Sequence, residues 1–241
     1  MARVDYDKQA EVYDRGRTLP PEAIDIWMFA ARRHVPKPGR ILDLGAGTGR
    51  FSNALAETFE ADVYAVEPSA GMRDQAQTKP HDLVHIVAGK AEAIPLPDAS
   101  VDLAWLSNVV HHFDDLAQAA RELRRVTVDT VLIRGAFGGV PVPSLYRFFP
   151  GSQRIVDSMP TMPEVIDAFQ AAGFTSFRNE KIEQLLAHSL ADMVPRIRMR
   201  ADTALELISD DEFATGLAAL EDAAKREHGP VTDPMDLLAI R

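Results

Sequence analysis

The 241-residue chain contains no cysteine. It therefore has no disulfide, no thiolate metal ligand and no cysteine nucleophile. It is also short of positive charge: 26 lysines and arginines stand against 36 acidic residues, a formal net charge of −10. Phosphate neutralisation supplies most non-specific affinity for nucleic acid, so this balance argues against a general nucleic-acid binder and leaves room only for a local basic patch. No apolar run approaches the roughly 18 residues of a transmembrane helix, so no membrane span is expected. The opening MARVDYDKQAEVYDRGR is charged throughout and lacks the apolar centre of a secretory signal. Internal repeats and low-complexity tracts are missing too. These absences predict a soluble, cytoplasmic protein.

What is present suits one α/β domain with a small lid: 46% of residues are hydrophobic, enough for a full core. A short polar helix is expected from Asp5 to Asp14. A longer one starts at Pro20 and Pro21, where proline costs little, and Ile24, Trp27, Met28 and Ala31 recur in it at helical spacing. Ile41, Leu42 and Leu44, then Leu83–Val87, Val101–Leu106 and Val131–Ile133, read as strands, and the continuous apolar run Val63–Val66 as a strand covered on both faces. Helical stripes lie between them, Phe51/Ala54/Leu55/Phe59 and Leu116/Ala120/Leu123/Val126, with Ser69 and Asp114 as expected caps. This alternation from Gly39 to Gly135 predicts a mostly parallel sheet with helices on both faces. Beyond it come a proline-rich loop, Gly138–Gly151, and a helix, Met162–Ala172. A long strand Phe174–Leu186, helices near Ser189–Ile208 and Asp210–Lys225, and a last strand Asp236–Ile240 follow.

The stretch Asp43-Leu-Gly45-Ala46-Gly47-Thr-Gly49 joins the first strand to its helix. Glycine permits positive φ and lets a ligand touch backbone. A dinucleotide turn reads G-x-G-x-x-G, with pyrophosphate on the helix N-terminus. Here the register is D-x-G-x-G-x-G. A leading carboxylate repels pyrophosphate but helps hold an ammonium group. Glu67 closes the second strand about 20 residues on, where a carboxylate can accept both hydroxyls of a ribose. The implied ligand is a nucleoside with an uncharged or cationic link and an amino-acid tail, which is the chemistry of S-adenosylmethionine.

With ILDLGAGTGRF, VYAVEPS and GKAEAIPLPDASVDLAWLSNVVHHF in that order, the chain resembles the class I S-adenosylmethionine-dependent methyltransferases. Within them it is most similar to the bacterial small-molecule group that includes the ubiquinone and menaquinone C-methyltransferases. The resemblance covers about Tyr6 to Gly135. It implies a Rossmann-like, seven-stranded, mostly parallel sheet with an antiparallel last strand. It also implies S-adenosylmethionine as cofactor and S-adenosylhomocysteine as product. Matched by position, Asp43, Gly45, Ala46, Gly47 and Gly49 would face the methionine tail and ribose, and Glu67 the ribose diol. Pro68 and Ser69 would lie beside the adenine, with Ala91 (through its backbone) and Glu92 at the adenine edge. Ser107 and Asn108 would lie near the sulfonium. A single domain is implied, with residues 1–35 as a helical cover, 39–135 as donor-binding core and 136–241 as acceptor half, its helical insertion about 189–227 forming a lid.

Methyl transfer from a sulfonium needs alignment and exclusion of water, and a base only where the nucleophile holds its proton tightly. His111 and His112 follow the fourth strand, at the edge where ligands bind in open α/β sheets. One of the two is expected to face the pocket, as base or as packing. Tyr13, with Tyr6 and Arg17, is a candidate gate from the N-terminal helix. Tyr146, Phe148 and Phe149 either wall an acceptor pocket or belong to the core. Arg134, Arg196, Arg198 and Arg200 are either clamps for an acceptor carboxylate or ion-paired and solvated. No metal site is expected: His81 and His85 flank the partly strand-like HDLVH. The function expected is methyl transfer to a small, fairly apolar organic acceptor, with no nucleic-acid partner. Its competitors are a non-catalytic donor-binding module and an RNA methyltransferase. A nicotinamide oxidoreductase would share the fold, but the glycine register and the lack of a Tyr-x-x-x-Lys dyad count against it.

Overall fold

The computed structural model describes residues 6–140 and 144–241. Asp5, the expected start of the first helix, lies outside them, as does the Pro141–Pro143 part of the proline-rich loop. In chain order the elements are α1 (Tyr6–Gly16), α2 (Pro21–His34), β1 (Arg40–Leu44), α3 (Arg50–Phe59), β2 (Asp62–Glu67), α4 (Ala70–Gln77), β3 (Val84–Ala88) and β4 (Val101–Ser107). Then come α5 (Leu116–Val126), β5 (Thr127–Gly135), α6 (Gln153–Asp157), α7 (Met162–Ala171), β6 (Phe177–Ala187), α8 (Leu190–Arg198), α9 (Thr203–Glu206), α10 (Asp210–Ala224) and β7 (Val231–Ile240). The seven strands form one sheet in the order β3-β2-β1-β4-β5-β7-β6. All pairs are parallel except those of β7, which runs antiparallel to β5 and β6. No described helix is long and apolar enough to cross a membrane.

Strand side chains alternate between faces, and the core splits accordingly. Ile41, Leu103, Trp105, Leu132 and Leu237 pack with Trp27 of α2 and Phe51, Leu55 and Phe59 of α3. Leu42, Leu44, Ala104, Leu106, Val131 and Ile133 pack on the other face with Leu123 of α5 and Phe169 of α7. Carried to the strand ends, the same period puts Asp43, Ser107 and Arg134 on the α2–α3 side. Register confirms the grouping, since Asp43 lies beside Trp105 and Ser107 beside Arg134. Gln184, two residues past Ile182, and Asp233, two before Met235, join that face.

Three expectations are corrected. Asp115, not Asp114, caps α5: its carboxylate accepts the Gln118 N–H at 2.9 Å, while the Asp114 N–H is taken by Glu92 at 2.7 Å. The helix expected over Ser189–Ile208 is two, α8 and α9. Arg200 takes φ +51° between them, and its guanidinium ties off the break by donating to the carbonyls of Leu205 and Ile208. The last strand begins at Val231 rather than Asp236. Its polar start, with Pro234, lies beyond the reach of β5 and pairs only with β6, the one-sided setting in which strand proline is tolerated. Phe149, Leu190, Met193, Ile197, Leu205 and Leu220 give α8, α9 and α10 a small core of their own.

Candidate functional site

The glycine turn is built by three positive φ angles, +71° at Gly45, +57° at Gly47 and +77° at Gly49. At Gly45 glycine is also sterically required, because a Cβ would stand 2.3 Å from Val109 Cγ2. At Gly47 a Cβ would meet nothing within 4 Å, so the space above the turn is open to a ligand. The β1–β2 register pairs Leu44 with Val66, which sets Glu67 beside the turn. Its carboxylate accepts the N–H of Gly47 and the N–H of Ser69, each at 2.9 Å. Burial raises its pKa above the usual carboxylate range despite these bonds. Asp43 is 2% exposed and accepts the Ser52 hydroxyl at 2.7 Å. With that one neutral partner its carboxyl is pushed up to about 7 by burial.

α1 lies across this end of the sheet. Asp7 accepts the Ser69 hydroxyl at 2.6 Å and the Gly71 N–H at 2.9 Å, capping α4. Asp14 binds Lys79 at 2.5 Å and the Thr48 hydroxyl, and Arg17 pairs with Asp202 just before α9. The Tyr6 hydroxyl is hydrogen-bonded to His112 Nε2 at 2.7 Å and to Thr203 at 3.1 Å. One helix and the residue that follows it thus touch the glycine turn, α4, the histidine pair and the start of α9.

Beneath it is a cavity of about 200 Å³. Of the expected residues, Tyr13, Asp43, Gly45, Ala46, Gly47, Ser107, Asn108 and His111 line it. His111 faces the cavity while His112 turns to Tyr6, and the two rings lie 3.9 Å apart. Burial, then the charges of His112 and Arg17, hold the His111 pKa well below its ordinary value. Gly49, Glu67, Pro68, Ser69, Ala91 and Glu92 lie outside the lining. Gly49 is the N-cap of α3 and Ser69 that of α4; the Pro68 carbonyl accepts from Arg73; Ala91 is core. The Glu92 carboxylate holds the N–H groups of Asp114 and Asp115 at 2.7 and 3.3 Å.

Of the arginines singled out in the sequence, Arg17, Arg134 and Arg196 line the cavity. Arg198 pairs with Glu221 and Arg200 with Asp210. Arg134 is 3% exposed. It donates to the Ser107 hydroxyl at 2.9 Å and to Gln184, and its guanidinium lies 4.7 Å from the Trp27 ring centroid. Burial, then Arg17 and Arg50, lowers its pKa to about 9. Tyr146 lines the cavity, whereas Phe149 is fully buried in the small core of α8–α10. Arg50, Gln184 and Asp233 were missed. Gln184 and Asp233 carried a readable signal, each being a polar residue in phase with the buried residues of its strand.

Residues 42–133 match the methyltransferase domain family. Over 115 residues the chain is 43% identical to an uncharacterized methyltransferase of Mycobacterium tuberculosis, covering 47% of this chain and 44% of that one. It is 33% identical over 182 residues to a malonyl-[acyl-carrier protein] O-methyltransferase of Methylococcus capsulatus, covering 73% and 66% of the two chains. It thus spans only about half to two thirds of the length of these curated relatives. A crystal structure from Anabaena variabilis, described as a methyltransferase of an antibiotic biosynthesis pathway, superposes with a TM-score of 0.73 at 26% identity, covering 94% of this chain and 99% of that one. Sheet order, glycine turn and these likenesses agree: the chain carries a methyltransferase domain of the class I, S-adenosylmethionine-dependent type.

Proposed function

We propose that this chain binds S-adenosylmethionine at the glycine turn and transfers its methyl group to a small organic acceptor with an apolar body. The observation that carries this reading is the continuity of one cavity. Asp43, Gly45, Gly47, Ser107 and Asn108 line one part; Leu19, Val156, Met159, Met193 and Ile197 line another. The residues fit the donor: an open backbone turn at Gly47, and a buried carboxylate at Asp43 bonded only to a neutral hydroxyl. Asp43 would hold the ammonium of the methionine tail, and Glu67, from the edge of the turn, the ribose. Pro68, Ser69, Ala91 and Glu92 would frame the adenine.

When bound, the donor supplies a methyl group already activated by its sulfonium. The chain then has to orient and enclose, and proximity and water exclusion supply much of the rate. Ser107 and Asn108, at the end of β4, set the floor between the two parts. α1, with Tyr13 on the cavity side and Tyr6 latched to His112 and Thr203, closes the roof. His111, kept neutral, can take a proton at its imidazole from an acceptor that must lose one.

The test is calorimetric titration with S-adenosylmethionine and S-adenosylhomocysteine, with NAD as control, followed by a turnover assay of S-adenosylhomocysteine release across an acceptor panel. Micromolar binding with release on some acceptor supports the proposal. Binding with no turnover on any acceptor favours a donor-binding module instead. Binding of NAD alone overturns the reading.

A further inference from the structure

Four arginines, Arg17, Arg50, Arg134 and Arg196, line the cavity. Among the described residues, only Arg17 has a carboxylate at hydrogen-bond distance, that of Asp202. Arg50 comes no nearer than 3.8 Å to Asp14 and otherwise donates to the Arg17 carbonyl. Arg134 and Arg196 are bonded to neutral oxygens alone: Arg134 to Ser107 and Gln184, Arg196 to the Leu186 carbonyl at 2.6 Å. Arg50 Nη2, Arg134 Nε and Arg196 Nε are buried donors without a partner. A guanidinium taken from water without a counter-charge is unfavourable, and the charges of Arg17 and Arg50 depress the pKa of both Arg134 and Arg196 further.

Two acids on the cavity are already engaged: Asp202 by Arg17 and the Ala204 N–H, and Asp43 at the turn by Ser52. Arg134 and Arg196 are anchored two residues apart on β6, at Gln184 and Leu186, so one strand sets both on one wall.

We propose that Arg134 and Arg196 form an oxyanion subsite for the methyl acceptor, which presents a carboxylate or phosphate to the β6 wall and its apolar body to Met159, Met193 and Ile197. The inference rests on the methyltransferase reading and names its substrate class: a small organic acid or phosphate ester. A guanidinium matches both groups in geometry and charge.

The test uses the full chain saturated with S-adenosylhomocysteine. Octanoate and octyl phosphate are titrated against octanamide and octanol, in wild type, Arg196→Gln and Arg134→Lys, with melting curves as the fold check. At least one anion is expected to bind about tenfold tighter than its neutral counterpart, and Arg196→Gln to remove most of that preference while S-adenosylhomocysteine affinity stays within about twofold. The stronger anion tells carboxylate from phosphate. Because Arg196 is half-buried on the lid, its variant carries the test even if Arg134→Lys misfolds. Equal or absent binding of anionic and neutral probes overturns the subsite and leaves the methyltransferase reading standing. So does an Arg196→Gln variant that loses S-adenosylhomocysteine but keeps anion preference, since the guanidinium then serves the donor's own carboxylate. If wild type binds no S-adenosylhomocysteine, the methyltransferase reading falls and the subsite with it.

Discussion

The Glu67 carboxylate accepts the Gly47 backbone N–H at 2.9 Å, so an acid at the end of one strand holds open a turn at the end of its neighbour. Glu67→Ala frees that N–H and the Ser69 N–H. We expect a stability loss of about 1–3 kcal/mol and at least tenfold weaker S-adenosylhomocysteine binding, as about two hydrogen bonds would cost. Melting and calorimetry read the two separately, and an unchanged affinity would remove Glu67 from the donor site.

Gly45 and Gly47 separate fold from binding. Gly45→Ala drives a methyl into Val109 at 2.3 Å and should be strongly destabilising. Gly47→Ala meets only empty space and the strain of φ +57°, about 1–2 kcal/mol. The fold should survive, while the added methyl takes the volume a ligand needs. Retained donor affinity in Gly47→Ala would mean that the ligand does not approach this backbone.

Asp43 predicts a pH dependence. Its carboxyl, at about 7 when folded against the ordinary aspartate value of 3.8, keeps its proton in the native state where the unfolded chain has lost it. Its contribution to stability is therefore fully present at low pH and lost as pH rises through about 7. An ammonium group beside it needs the charged form, so donor affinity should rise from about pH 6 to about pH 8 with release of a proton on binding. Calorimetry in buffers of different ionisation enthalpy detects that proton. Asp43→Asn should flatten the profile, and a flat profile in wild type would contradict the assignment.

His111 and His112 should behave differently. His111 is neutral across the assay range, so no titration of activity near neutrality should trace to it. On an acceptor that must lose a proton, His111→Gln should lower kcat by roughly 100-fold at unchanged S-adenosylhomocysteine affinity, the scale of a lost general base. A fall of less than about threefold would reassign it to packing. Tyr6→Phe removes the bonds to His112 and Thr203 and should instead raise the donor KM several-fold with kcat nearly unchanged.

Much of the fold could be read locally. The runs at Ile41–Leu44 and Val101–Leu106 are strands at nearly those bounds because short, mainly apolar segments, each broken by a single aspartate, are buried in the middle of a sheet covered on both faces. β7 was half hidden, since Asp233 and Pro234 look like loop until β6 pairs them. The long helix after Ser189 was misread because nothing in the local spacing announces that the Arg200 guanidinium will tie off two carbonyls instead of facing water. The bonds from the Asp114 and Asp115 N–H groups to Glu92 at the start of α5 join residues 22 and 23 apart, and the local spacing does not announce them.

The sequence by itself determined the turn end of the site. Asp43 and the three glycines alternate within one short stretch, Asp43 to Gly49, and Glu67 reaches them through the pairing of two adjacent parallel strands, so short-range pattern and strand period suffice. The wall proposed for the acceptor was decided only by tertiary structure. Arg134 and Gln184 are 50 residues apart, Tyr6 and His112 are 106 apart, and each sits in an element whose local pattern says only which face is buried. Which distant faces share a cavity depends on β7 inserting between β5 and β6 and on α1 crossing to the lid. Those are choices of long-range packing, and no spacing along the chain records them.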